Sequence, residues 1–145
     1  MILSQDRNQL RDAYIQAWKK NRADQPLEPL EQQLVQVISE HPEHHALLED
    51  EEAALHRDFS PEAGAVNPFL HMGLHIAVRE QLVTERPVGI RKAFQNLQRR
   101  GVTPHEAEHR VMECLGQALW DIQHRQRPFD DAAYLKCIRK MARGR

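Results

Sequence analysis

The sequence NPFLHMGLHIAV, residues Asn67–Val78, contains the pattern that decides the fold of this chain. An asparagine followed by a proline favours a helix start, because the asparagine side chain can cap the first turn and proline lacks an N–H that this turn would leave unpaired. Leu74, Val78 and Leu82 then recur every four residues, which places them on one side of an α-helix. The stretch therefore predicts a helix that ends near Thr84.

The same helical period continues along the rest of the chain, and no segment shows the alternating pattern that is typical of a β-strand. Thr103 and Glu106 fit a capping box at the start of a long helix, and Asp130 can cap the last one. We predict an all-α protein, a single-domain helical bundle of six or seven helices over residues 1–145. The predicted helices run from Ser4 to Asn21, from Leu30 to His41, from Pro42 through Leu55, from Asn67 to Thr84, from Pro87 to Gly101, from Thr103 to Gln126 and onward from Asp130, with a loop at Phe59–Gly64.

Composition limits the functional classes. The chain has 145 residues, of which 28% are charged and 41% hydrophobic, and its formal net charge is −1. This balance gives no long-range attraction to nucleic acid or to an anionic membrane surface. The mean hydropathy is −0.68, and no apolar run is long enough to cross a bilayer. The first residues lack the pattern of a secretion signal, so we expect a cytoplasmic protein in which Cys114 and Cys137 are reduced and packed separately.

Histidine pairs with a spacing of four residues occur three times. They are His41 and His45, His71 and His75, and His105 and His109. On an α-helix this spacing places both imidazoles on one face, about 6 Å apart, where they can bind one metal ion. We therefore consider a transition-metal site first.

His71 and His75 lie on the same side of their predicted helix as Leu74 and Val78, so we expect both imidazoles to be buried. A buried ring nitrogen without a partner costs about 1–3 kcal/mol, and a shared metal ion would supply that partner. The alternative is a pair of core histidines that are bonded to carboxylates or backbone carbonyls. For His41 and His45, Pro42 breaks the helix between them, and a solvated helix junction is the simpler interpretation.

The run His105-Glu106-Ala107-Glu108-His109 matches the metalloprotease pattern H-E-x-x-H and its reverse. Protease chemistry is disfavoured, because the run lies in the first turn of its helix and no third ligand follows it. We instead predict that His105 and His109 join His71 and His75 in one site for zinc, iron or manganese. Glu108 and Glu113 are then the candidates for a catalytic general base. The alternative for Glu108 is an ion pair with an arginine such as Arg79 or Arg91.

Several long runs resemble one family. They are Val66–Gln81, Arg86–Arg91, His105–His109 with Met112–Leu115, and the opening Ser4–Arg7. These runs are similar to a proteobacterial family catalogued as domain of unknown function 1841, and the similarity covers nearly the whole chain. The resemblance implies a small bacterial, cytoplasmic, helical protein, and it implies no activity.

Two functional classes follow from the residues. The first is a mononuclear metal protein, with a metal-dependent hydrolase as its catalytic form. The second is a non-catalytic adaptor or regulatory protein whose His/Glu network is structural and whose exposed helices bind an unidentified protein partner. Neither the substrate nor the oligomeric state follows from the sequence.

Overall fold

The computed structural model describes residues 7–59 and 67–144. Every regular element in these two ranges is helical, so the prediction of an all-α protein is confirmed. The predicted start at Ser4 and most of the predicted loop at Phe59–Gly64 lie outside the described residues. The elements are α1 (Arg7–Arg22), α2 (Pro29–Ser39), a 3-10 turn (Pro42–His44), α3 (His45–Glu49), α4 (Glu51–His56), α5 (Pro68–Thr84), α6 (Ile90–Gln98), α7 (Pro104–Arg125) and α8 (Asp131–Gly144).

The described ranges contain eight α-helices, close to the predicted six or seven. The predicted acidic helix is divided because Asp50 ends α3 and caps α4, with its Oδ1 accepting a hydrogen bond from the Ala53 N–H at 3.2 Å. Helix α6 begins at Ile90 instead of at Pro87. Gly89 precedes it with a φ of 101°, a left-handed conformation that glycine adopts without steric cost.

Three predicted helix starts are confirmed by their caps. The Asn67 Oδ1 accepts hydrogen bonds from the N–H groups of Phe69 and Leu70 at 2.9 and 3.2 Å. The Thr103 Oγ1 accepts one from the Glu106 N–H at 3.1 Å, and the Asp130 Oδ1 accepts one from the Ala133 N–H at 3.0 Å. Each cap satisfies a donor that the first helical turn leaves without an internal partner.

The chain divides into two compact units, Met1–Ile76 and Ala77–Arg145. In the first unit, α1 packs against α2, α3 and α4. Its core is apolar and includes residues from α1, α2, α3 and the first half of α5, namely Tyr14, Ile15, Trp18, Leu34, Val37, Ile38, Leu48, Phe69, Met72 and Ile76. The prediction of one domain stays a prediction.

In the second unit, α6, α7 and α8 pack against one another. Their buried residues include Ile90, Leu97, Val111, Leu115, Tyr134 and Ile138. A disulfide joins Cys114 on α7 to Cys137 on α8. The prediction of two reduced, separately packed cysteines is therefore wrong, because the packing of α7 against α8 brings together two residues that are 23 positions apart. Among the described helices, none combines the length and the apolar character that crossing a membrane requires.

Candidate metal centre

His41 lies just beyond the end of α2, where the last helical turn leaves its carbonyl groups without an internal partner. Its Nδ1 is 2.7 Å from the carbonyl oxygen of Val37 in that turn. Because a carbonyl oxygen only accepts hydrogen bonds, we assign the proton to Nδ1, and in the neutral ring Nε2 keeps its lone pair. The end of α2 therefore fixes both the orientation and the tautomer of His41, whose exposed fraction is 3%.

His71 and His75 lie one turn apart on α5, as the sequence predicts. His75 is fully buried, and His71 is half-buried. The Nε2 of His75 is 3.1 Å from the Nε2 of His41 and 3.2 Å from the Nε2 of His71. The Nε2 of His75 therefore lies between two other histidine rings of the first unit and is close to the same ring nitrogen of each.

Hydrogen bonding between neutral rings does not satisfy this arrangement. Since the Nε2 of His41 holds a lone pair, a neutral His75 must direct an N–H toward it. That N–H leaves the Nε2 of His75 with no lone pair to offer His71, so both contacts have to share one proton. A cation bound by all three lone pairs removes the conflict.

The distances also fit a metal ion. Two imidazole nitrogens that bind one zinc ion at about 2.0–2.1 Å in tetrahedral geometry are about 3.3 Å apart. The two Nε2 contacts of His75, at 3.1 and 3.2 Å, are close to that value. The bond from the Nδ1 of His41 to the Val37 carbonyl is the kind of outer contact that orients a metal-binding imidazole.

Two further titratable side chains border the three histidines. The ring of His44 stacks on that of His41, with centroids 5.8 Å apart and an angle of 15°. Burial lowers the pKa of His44, which favours its neutral form. The pKa of Glu43 is also lowered, chiefly by the hydrogen bond from its own backbone N–H. Glu43 thus adds negative potential beside the cluster.

His45, the partner of His41 in the sequence pattern, is directed elsewhere. Its Nε2 donates to the Ile38 carbonyl oxygen at 2.7 Å, and its ring lies against Trp18 with centroids 4.5 Å apart. The first histidine pair is therefore separated by the bend at Pro42.

His105 and His109 lie at the start of α7 in the second unit. Their ring centroids are 4.3 Å apart, and a ring nitrogen of His105 lies within 4.8 Å of a ring nitrogen of His109. His105 is exposed and His109 is half-buried. The i, i+4 geometry of this pair is as predicted. That the pair binds the same ion as His71 and His75 stays a prediction.

The two candidate general bases on α7 have different surroundings. Glu108 is buried. The single N–H of the Arg79 Nε is shared between the two carboxylate oxygens of Glu108, at 3.0 and 3.2 Å, and the Arg79 Nη2 forms an ion pair with Oε1 at 3.0 Å. This is the ion pair that the sequence left open as the alternative, and it favours a structural role, because both carboxylate oxygens bind a cation. Glu113 is exposed.

His41 is not predicted as a ligand by the sequence pattern. The prediction of a solvated helix junction at this residue is wrong, because His41 is buried against His75. The spacing from His45 was a misleading signal, since the two rings point to different partners. The useful signal was the position of His41 just after an apolar helix, where a ring can bond the last carbonyl groups.

The described helices define an all-α protein, in which His41 and His75 belong to a histidine group that could hold a metal ion. The chain belongs to the family described as domain of unknown function (DUF1841), whose model matches residues 6–140. The predicted resemblance is confirmed over nearly the full chain. No curated protein and no solved structure matches it.

Proposed function

We propose that this protein binds one transition-metal ion through the Nε2 atoms of His41, His71 and His75. The observation that carries the proposal is the position of the His75 Nε2, which lies 3.1 Å from the Nε2 of His41 and 3.2 Å from the Nε2 of His71. All three ligands are imidazoles, which favours zinc or iron over metals that prefer oxygen. Of the three predicted ions, zinc and iron are therefore favoured over manganese, and zinc is the first ion to test.

Three protein ligands suit a catalytic metal site, because such sites keep a further position for water or substrate. The half-buried His71 is the ligand nearest to solvent in this set, so we place the open position on its side. A metal ion in such a site lowers the pKa of bound water and supports hydrolysis. Of the two predicted general bases, Glu108 is disfavoured because its carboxylate binds Arg79, and Glu113 stays a prediction.

The test is a zinc titration of chelator-treated protein, read by competition with a chromogenic chelator. Wild-type protein should bind one equivalent, and His41→Ala, His71→Ala and His75→Ala should each weaken binding by at least about 100-fold. His56→Ala is the matched control, because His56 is exposed on α4 and should bind zinc as the wild type does. Circular dichroism of each variant separates a lost ligand from a lost fold. Full binding by a folded His75→Ala variant would refute the site.

The double variant His105→Ala/His109→Ala tests the predicted role of α7 in the same titration. If the two residues supply ligands to this ion, zinc affinity should fall as it does for His71→Ala. An unchanged affinity would limit the ligand set to the first unit and would show that this part of the sequence prediction is wrong.

A structural metal site in a non-catalytic adaptor is the second candidate function. The observation that favours it is the burial of two of the three ligands, since His75 is 0% and His41 is 3% exposed. Cobalt-substituted protein distinguishes the two functions, because azide changes the visible spectrum only where a coordination position is open. A spectrum that azide leaves unchanged would favour the adaptor. A cytoplasmic location and an unidentified protein partner are part of this proposal.

A further inference from the structure

A cavity of about 360 Å³ lies in the second unit, between α7, the segment that follows it and α8. Both members of the Cys114–Cys137 disulfide line this cavity. Cys114 is buried, with 2% of its surface exposed, whereas Cys137 is half-buried. The disulfide is therefore part of a cavity wall, and Cys137 is the more exposed of its two residues.

The other walls of the cavity suit a small organic ligand. Phe129 and Tyr134 form an aromatic wall, with their rings edge to face and their centroids 5.4 Å apart. The Tyr134 hydroxyl donates to the Gln81 Oε1 at 2.6 Å, which holds this wall in place. The lining also holds one cation, Arg127, and two carboxylates, Asp121 and Asp130. Both carboxylates are already engaged, since Asp121 lies 3.6 Å from the Arg125 Nε and the Asp130 Oδ1 accepts a hydrogen bond from the Ala133 N–H at 3.0 Å. The volume is at the small end of the range for ligand sites.

We propose that this cavity binds a small thiol that carries a carboxylate group, and that the thiol exchanges with the Cys114–Cys137 disulfide. Arg127 supplies the cation for the carboxylate, and the aromatic wall contacts the carbon chain. A disulfide sulfur is an electrophile for a thiolate, so the ligand class follows from the reactive group in the wall. This inference does not depend on the proposed metal site.

The exchange has two balanced steps. In the first, the ligand thiolate attacks the Cys137 sulfur, a ligand–Cys137 disulfide forms, the Cys114–Cys137 bond breaks, and the Cys114 sulfur leaves with the electron pair and takes up a proton. In the second, another ligand thiolate attacks the ligand sulfur of the mixed disulfide and releases Cys137. Two ligand thiols are then oxidised to one ligand disulfide, and the protein disulfide is reduced to two thiols.

The test uses the full chain in its oxidised form and two thiols of similar size, 3-mercaptopropionate and 2-mercaptoethanol. Samples are quenched in acid, and intact mass with peptide mapping gives the rate and the position of the mixed disulfide. We expect the mixed disulfide to form on Cys137. We also expect the rate with 3-mercaptopropionate, after correction for its thiolate fraction, to saturate as the concentration of this thiol rises. Arg127→Gln should slow that reaction about two- to fivefold and leave the rate with 2-mercaptoethanol unchanged.

Two neighbouring alanines on α8 provide a matched control. Ala132 and Ala133 are both exposed, and only Ala133 lines the cavity. Ala133→Phe should fill the cavity and slow exchange with 3-mercaptopropionate, whereas Ala132→Phe should react as the wild type does. Equal rates for the two folded variants would overturn the proposal, and so would a protein that keeps two free thiols after treatment with an oxidant.

Discussion

Two buried tyrosines differ in how their hydroxyl groups are satisfied. Within the part of the chain that the structure describes, the Tyr14 hydroxyl has no hydrogen-bond partner, whereas the Tyr134 hydroxyl donates to Gln81. An unpaired buried hydroxyl costs free energy, and a paired one contributes about 1 kcal/mol. We expect Tyr14→Phe to leave the free energy of unfolding unchanged or to raise it by about 1 kcal/mol, and Tyr134→Phe to lower it by about 1 kcal/mol. Urea unfolding measures both changes, and a loss in Tyr14→Phe as large as that in Tyr134→Phe would contradict this expectation.

The same two residues predict a loss of stability at alkaline pH. Burial raises the pKa of Tyr14 and of Tyr134 above the ordinary value of 10.0. A phenol whose pKa is higher in the folded than in the unfolded chain contributes stability that is complete below about pH 10 and is lost as the pH rises further. The free energy of unfolding should therefore fall above about pH 10, and the double variant Tyr14→Phe/Tyr134→Phe should show a shallower fall. An identical slope in the double variant, measured by urea unfolding from pH 8 to 11, would contradict the assignment.

At the scale of elements, a buried arginine on α1 caps the C-terminal end of α4. The Arg11 Nη1 donates to the Arg57 carbonyl oxygen at 2.8 Å. It also lies 3.2 Å from the carbonyl oxygen of Ala54 and 3.3 Å from that of Leu55. Its guanidinium also lies over the rings of Phe59 and Phe69, at 5.2 and 5.1 Å. Desolvation lowers the pKa of Arg11, and the carbonyl groups compensate for the water that the cation has lost.

We expect Arg11→Lys to lower the free energy of unfolding by about 2–3 kcal/mol. Lysine keeps the charge and lacks the planar group that contacts the carbonyl oxygens and both aromatic rings. Arg7→Lys, one turn earlier on α1 and exposed, is the control and should stay within about 0.5 kcal/mol of the wild type. Equal stability of the two variants in urea would show that the cap does not hold α4.

The helix boundaries show which elements can be predicted locally. The caps at Asn67, Thr103 and Asp130 were predictable, because each bonds an N–H only two or three residues ahead. The division between α3 and α4 was missed, since the leucines on both sides of Asp50 keep a helical spacing. The later start of α6 was missed as well, because proline at a helix start is common. Gly89 was the available signal, since glycine favours the left-handed conformation that ends the turn there.

For the whole molecule, metal binding should couple to folding. An ion that binds only the folded chain stabilises it by about 2.7 kcal/mol at a free concentration one hundred times its dissociation constant. For a chain of this size we expect zinc to raise Tm by about 8 °C in chelator-treated wild type, and by nothing in His75→Ala. Differential scanning calorimetry measures both. A rise in the variant equal to that in the wild type would place the zinc elsewhere.

The sequence by itself determined the helical class, most helix ends and the shared face of His71 and His75, because these depend on residues within about four positions of one another. Membership of the family followed from the same local runs. Only the tertiary structure decided which distant groups meet. His41 reaches His75 across 34 residues, Arg79 reaches Glu108 across 29, and Cys114 bonds Cys137 across 23. Such contacts depend on which elements pack together, and the pattern within any one helix is the same whichever partner it has.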